Sequence, residues 1–370
     1  MINVAEARMD KLRIIGVMLA IKGVLLVFGG QVFQILTNIY RGGFYESLML
    51  WNRWDVLHYQ RLAEFGYGTT QALKPSMVFY PLFPGLIRVF SYITGEYIVS
   101  SFIIASIVSI IAALYFYDLV SFEYSREIAL RSVWFFLIFP TAYFLHIPYT
   151  EGLFLMLVFA AMYEARNERW LTASIIGAFA CATRGNGIVL VLALGVEVLH
   201  QLWTTRKWQN QWLYLAIAPM GFLLYLGIVR MATGDAFSFV EIRKQAFYIS
   251  SAAPWTGVQA VIGQLGGSPM QAQMVGMQEL LFVALGFVCA VISWFKLRPI
   301  YSVWITFNWL LVTSVTFVAS VPRYTLSMFP IFILAAMLAK EVYWLCVLTL
   351  ISLMYFAIFS GFFARGFWAF

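Results

Sequence analysis

Between Ile98 and Tyr117 the chain runs for 20 residues without a charged side chain. A helix rises 1.5 Å per residue, so a stretch of that length crosses the hydrocarbon core of a bilayer. The feature recurs: apolar segments at 12–36, 98–120, 133–147, 152–165, 171–184, 187–203, 212–231, 279–297, 300–320, 325–340 and 342–362 read as about eleven spans. Of 370 residues, 62% are hydrophobic and 11% charged, against about half and about a quarter in a soluble domain. The expected class is an all-α polytopic membrane protein, one transmembrane unit over residues 1–370. The third, fourth and fifth spans are short, as expected of helices tilted or broken around a cavity. The first apolar run lacks a small-residue cleavage motif and reads as a retained signal anchor.

The charge balance is 24 Lys and Arg against 17 Asp and Glu, a net +7. In a soluble protein that excess would suggest nucleic acid. Here most bases lie in short loops between apolar runs, so membrane topology and anionic lipid account for them, and no nucleic-acid partner is expected. Cys181, Cys289 and Cys346 fall inside apolar runs, which is neither a disulfide framework nor a metal cluster.

With alternating spans, Arg8, Lys11 and Arg13, Arg126 and Arg131, Arg166 and Arg169, Arg206 and Lys207, Lys296 and Arg298, and Lys340 share the side of the N-terminus. The positive-inside rule makes that side cytoplasmic. The C-terminus and the two longest non-spanning stretches, 37–97 and 232–278, then lie outside. The same alternation sends "WNRWDVLHYQ", "FYPLFPGLIR", "HIPYTEG", "TRGNG", "GDAFSFVEIRKQ" and "VPRY" to the outer face. Six polar motifs from distant parts of the chain thus converge on one membrane surface.

The motif at 51–60 opens a short helix expected to lie in the interface. Asp55, His58 and Tyr59 share one side of it through three- and four-residue spacing, and Trp51, Trp54, Leu57 and Leu62 form the apolar side. Either the charges face water on an amphipathic interfacial helix, or Asp55 is a base at the lipid–water boundary, where partial desolvation makes a carboxylate a better proton acceptor. Pro81 and Pro84 predict a kinked re-entrant turn shaping the outer cavity. Glu151 fits equally a cap in the first turn of the following helix and a contact to substrate. Arg184, beside two glycines, and Arg323 stand at outer helix ends. There a guanidinium fork suits an anionic headgroup or phosphate, or simply snorkels. His58 and His146 share the face, but without an H-E-x-x-H spacing or a Cys partner no metal site is expected.

Trp54-Asp55-x-x-His58-Tyr59 with Gly66-Tyr67, then "FYPLFP", "PYTEGLF", "TRGNG" and "PRYTLSMFPIF", follow one another over roughly 51–335. In type and order they resemble the PIG-V family, the GPI mannosyltransferase II proteins and their shorter prokaryotic relatives. The loop 232–278 departs from the pattern beyond Gly234-Asp235 and Gln245. The resemblance implies a GT-C glycosyltransferase working on the luminal or extracytoplasmic face with a polyprenyl- or dolichyl-phosphate sugar donor. It implies that Asp55 is the catalytic carboxylate of the first outer loop.

The expected reaction moves a sugar, mannose on the resemblance, to a lipid-linked or extracytoplasmic acceptor by single displacement with inversion. Asp55 acts as base, and Arg184 and Arg323 stabilise the departing lipid phosphate. His58 and Tyr59 orient base or sugar, and Glu151 binds sugar hydroxyls. Trp54, Asn186 and Tyr324, in the same motifs, line the substrate. A single phosphate leaving group needs no metal or other cofactor. The expected setting is a prokaryotic plasma membrane, or the ER membrane with a luminal site in a eukaryote. The competing class is a transporter or lipid flippase, which would place ionisable groups near the bilayer midplane between related halves.

Overall fold

The computed structural model describes residues 4–40 and 42–370. The described residues form helices and no strand; one isolated antiparallel bridge joins Ser251 to Val315. Each of the eleven apolar segments is helical over most of its length. Six helices are long and apolar enough to cross a membrane: Ala5–Thr37, Tyr97–Glu123, Gly187–Thr205, Asn210–Thr233, Pro269–Lys296 and Val342–Arg365. Val321–Ser327 and Pro330–Leu338, bent by 81° at the break between them, make up to seven if taken as one span.

The remaining apolar segments depart from the expectation of about eleven full crossings. Arg126–Ile138 has 13 residues, Glu151–Arg166 has 16, Trp170–Cys181 has 12 and Pro299–Thr313 has 15. These short helices carry much of the packed core. Every residue from Phe135 to Leu155 is buried. Irregular backbone is tolerated at membrane depth only where protein covers it, because each bare N–H or C=O costs several kcal/mol in lipid. The chain obeys that constraint: in the irregular segment 139–150 the amides of Ala142, Phe144, His146 and Tyr149 all find backbone carbonyls nearby.

The Glu151–Arg166 helix is the axis of the arrangement. It packs along Tyr97–Glu123, and Gly152 permits the close approach. A Cβ there would meet the Ser109 hydroxyl, which itself donates to the Leu145 carbonyl at 2.6 Å. Fifteen residue steps separate its ends, a rise of roughly 22 Å. At the Arg166 end lie the pairs Arg166–Glu123 (2.7 Å), Arg298–Glu197 (2.8 Å), Arg126–Asp10 (2.6 Å) and Lys11–Asp118 (2.7 Å). At the Glu151 end lie the residues of the outer motifs. Charges sorted to two sides by alternation are therefore two clusters about one helix length apart.

The prolines at 81 and 84 correct another expectation. They start a helix rather than a kinked re-entrant turn. Pro81 stands at the N-cap of Leu82–Thr94, and Pro84 falls in its first turn, where a missing N–H costs little.

The Gly152–Ser109 contact yields a test. Gly152→Ala is expected to lower stability by about 1–3 kcal/mol through overpacking, read as a lower Tm in detergent. Gly16→Ala, whose Cβ meets nothing within 4 Å, loses none.

Candidate active site

Asp55 is the first residue of the helix Asp55–Phe65, where a carboxylate favours the exposed N–H groups of the first turn. Trp54 before it has φ 55° and ψ −120°, a region that non-glycine residues rarely occupy and that costs about 1–3 kcal/mol. The turn is held from outside. Arg53 Nε donates to the Leu50 carbonyl (2.8 Å) and Nη2 to the Ala364 carbonyl (3.3 Å). The exposed Trp54 ring meets Trp368 edge-on with centroids 5.7 Å apart. Strain at this position aims the Asp55 side chain.

Its target is Arg323, 268 residues away in sequence. Arg323 Nη1 donates to Asp55 Oδ2 at 2.6 Å, and Arg323 Nε donates to Glu151 Oε1 at 2.5 Å. Glu151 Oε1 also takes Arg184 Nη1, which donates in addition to the Thr150 hydroxyl at 3.0 Å. Thr150 Oγ1 lies 3.4 Å from the Tyr59 hydroxyl. Two arginines and two carboxylates thus form one chain of ion pairs with no net charge. It is enclosed: the Glu151 and Arg323 side chains are 0% and 7% exposed, and Arg184 is 10% exposed. Aromatic faces complete the lining. The Arg323 guanidinium stands 4.5 Å from the centroid of Tyr149 and 4.9 Å from that of Phe144, and Arg184 stands 5.4 Å from Tyr324. Asp55 is the open end of the chain, with 26% of its side chain exposed and no described protein partner for Oδ1.

The arrangement revises several sequence-based assignments. Glu151 opens the Glu151–Arg166 helix, as the first-turn reading expected; it is fully buried, and its Oε1 is counter-ion to both arginines while Oε2 has no described partner. Arg323 commits Nε and Nη1 to the carboxylates of Glu151 and Asp55. Arg184 commits only Nη1, leaving the Nε and Nη2 edge of the fork without a described acceptor. Asn186 turns inward and donates to Asn308 Oδ1 at 2.6 Å, where it joins two helices. His58 has no described hydrogen bond to Asp55. Its Nδ1 lies 2.9 Å from the Ser76 hydroxyl, and its ring stacks on Phe79 with centroids 4.8 Å apart. Burial pushes the His58 imidazole below its usual pKa despite the nearby Asp55. Tyr59 and Tyr324 are wall residues of the ion-pair chain, Tyr59 through Thr150 and Tyr324 under Arg184. Sequence reading passed over Thr150, Tyr149 and Phe144; the first two sit inside "HIPYTEG", and their polar-aromatic pairing was the available signal. Among the described residues no three His, Cys, Asp or Glu side chains are grouped as metal ligands.

Removing the shared cation leaves Asp55 without its described partner and Glu151 with Arg184 alone. Arg323→Ala is expected to cost about 3–5 kcal/mol, the loss typical when one partner of a buried pair is deleted. Adding Asp55→Asn should recover part of it by removing the charge left without its arginine. Thermal unfolding in detergent reads both effects; an Arg323→Ala protein as stable as the parent would contradict the shared-cation geometry.

Residues 33–249 match the family model described as Mannosyltransferase (PIG-V). The GPI alpha-1,6-mannosyltransferase 2 of Rattus norvegicus is 30% identical over 152 residues, 38% of this chain and 30% of that protein. The mouse protein of the same name (Mus musculus) is 29% identical over 150 residues, 37% of this chain and 29% of that protein. The aligned stretch thus spans less than a third of either relative. The crystal structure of the Archaeoglobus fulgidus oligosaccharyltransferase in complex with Zn and sulfate aligns with a TM-score of 0.45 at 11% identity, covering 92% of this chain and 53% of that chain. The family match takes in Asp55, Glu151 and Arg184 and extends over more than half of the 370 residues: this chain belongs to the PIG-V mannosyltransferase family.

Proposed function

We propose that the protein is an integral-membrane glycosyltransferase that moves a sugar, mannose by family, from a polyprenyl-phosphate carrier to a hydroxyl of a lipid-linked or extracytoplasmic acceptor. The observation that carries this reading is the Asp55–Arg323–Glu151–Arg184 chain, buried at three members and open at Asp55. Such a donor has its tail in the bilayer, its phosphate at headgroup depth and its reacting carbon just beyond. A catalyst for it needs a base and an anion-binding cation at one membrane surface.

The chemistry balances on these residues. The acceptor oxygen attacks C1 while its proton passes to Asp55 Oδ1. The C1–O bond to phosphate breaks, and its electron pair stays on the lipid phosphate. Before the step the four side chains sum to zero charge; afterwards Asp55 is neutral and the cluster carries +1. That charge develops as the phosphate gains its own extra negative charge, so attraction grows along the reaction coordinate. Arg323 orients Asp55, and the free Nε/Nη2 edge of Arg184 receives the phosphate in fork geometry. Tyr324 and Trp54 offer ring faces to the sugar. Inversion at C1 follows from one base and one displacement.

A flippase would need ionisable groups along a path between the faces. Here the charged clusters stand at opposite ends of a helix buried along nearly its whole length. The positive-inside rule supports a cytoplasmic Arg166 end and an outer Asp55 end. No metal is needed: the donor carries a single phosphate, and arginine supplies its counter-charge.

Turnover in proteoliposomes with a panel of polyprenyl-phosphate sugars, read as lipid-phosphate release, tests the reading. The parent is expected to use a mannosyl donor equally well with excess chelator or added magnesium. Asp55→Asn, which keeps shape and removes the base, is expected to lose about 100-fold or more. Near-parental turnover in a folded Asp55→Asn protein would remove Asp55 from the mechanism.

A further inference from the structure

Arg323 does not sit on a long helix. It is the third residue of Val321–Ser327, a two-turn piece set 81° from the helix that follows it. The piece is entered through Ser320 in the left-handed region, at φ 64° and ψ 25°, and no side chain of its own caps it. A short helix at the edge of a re-entrant break has little to fix its direction, yet it carries the guanidinium that must meet both Asp55 and Glu151.

Three contacts tie it down. Thr141 Oγ1 donates to the Pro322 carbonyl at 2.8 Å, and Trp304 Nε1 donates to the Ser327 carbonyl at 2.8 Å. The third is ionic. Glu279, fully buried, accepts Ser320 N–H on Oε1 at 2.6 Å and Val321 N–H on Oε2 at 2.7 Å. Among the described residues Glu279 has no ion-pair partner. Its side chain is aimed by irregular backbone as well: the helix leading to it passes through a π-helical turn, Ala272–Met277, immediately before Gln278. Such turns are rare and shift the register of the side chains that follow.

A buried carboxylate without a cation costs several kcal/mol of desolvation. Two short charge-assisted bonds offset part of this, but a serine hydroxyl would satisfy the same orphan N–H at less cost. Stability alone therefore does not explain a glutamate here. A carboxylate gripping two successive amides does something a hydroxyl cannot: it fixes both the position and the rotation of the first turn, and Arg323 is two residues on. We infer that Glu279 is a positioning residue, a carboxylate clamp on the Val321–Ser327 helix that sets Arg323 against Asp55. The inference rests on the proposed role of the Arg323–Asp55 pair in glycosyl transfer.

Glu279→Gln keeps the shape but offers one acceptor and turns an NH₂ group toward the other amide. Its kcat is expected to fall about 10- to 100-fold, the scale of an ångström-level misplacement, with donor KM within about twofold of the parent. Glu279→Asp retains the carboxylate and should keep more activity than Glu279→Gln. If Glu279 acts through Arg323, Glu279→Gln costs less than about twofold more in an Arg323→Lys background. A structure of Glu279→Gln should show the Arg323–Asp55 contact opened while the surrounding helices stay in place. Losses that multiply in the double variant, or an intact Arg323–Asp55 contact in Glu279→Gln, would overturn the inference. Should Glu279→Gln not fold, the same kinetics and structure on Glu279→Asp decide it, through a displaced Arg323 and a kcat loss that vanishes in the Arg323→Lys background. A parent without transfer activity on any donor would instead refute the glycosyltransferase reading, and the variant structure would still settle whether Glu279 sets Arg323.

Discussion

One buried guanidinium, shared between Asp55 and Glu151, holds this structure's functional end together. Desolvating it costs several kcal/mol, and only partners on both sides with good geometry return that cost. Four segments must therefore meet: the first outer loop with Asp55, the start of the Glu151–Arg166 helix, the 182–186 break with Arg184, and the re-entrant helix with Arg323. Each is closer to one of the others than its sequence position suggests. The pairs span 172 and 268 residues. The aromatic rings of Phe144 and Tyr149 dry the cluster, which strengthens each charge–charge term inside it.

The broken helices are the means by which charges reach one place in an apolar protein. A continuous transmembrane helix presents its ends at the two surfaces and little else. A chain that stops a helix after 12 to 16 residues can turn polar side chains inward below the surface, provided that protein covers the exposed backbone. Three breaks do this, at 139–150, 182–186 and 314–320. Each feeds one member of the ion-pair chain: Glu151, Arg184 and Arg323. At the second break the freed Ala182 carbonyl accepts the Leu82 amide at 3.0 Å, so the interruption that exposes Arg184 also fastens the outer loop.

Class, helix positions and the gathering of the motifs at one end of the fold were legible in the sequence because they rest on local properties. Apolar runs betray helices, and alternating basic loops sort the polar motifs to faces. The Asp55–Phe65 helix could be read from three- and four-residue spacing. What could not be read depends on pairing across long separations. Arg184 and Arg323 looked like free phosphate grips; their carboxylate partners are invisible to any local pattern. Asn186 looked like a substrate contact and is taken up by Asn308. Pro84 looked like a break and is harmless, because harm depends on its place within the first turn. Glu279 drew no reading of its own, although a carboxylate at the head of an apolar run was the hint available.

The central claim is that Asp55 alone handles the acceptor proton in a single displacement, while Glu151 is locked away as a counter-ion. A second mechanism would use a carboxylate as nucleophile and form a covalent glycosyl-enzyme, retaining configuration through two displacements. Product stereochemistry separates the two. The configuration at C1 of the transferred sugar, read by NMR from the one-bond C–H coupling in the product and compared with that of the donor, is expected to be inverted. A product that keeps the donor's configuration would contradict the account, because it would require a carboxylate to attack carbon, whereas the proposal gives Asp55 the role of base and Glu151 that of buried counter-ion.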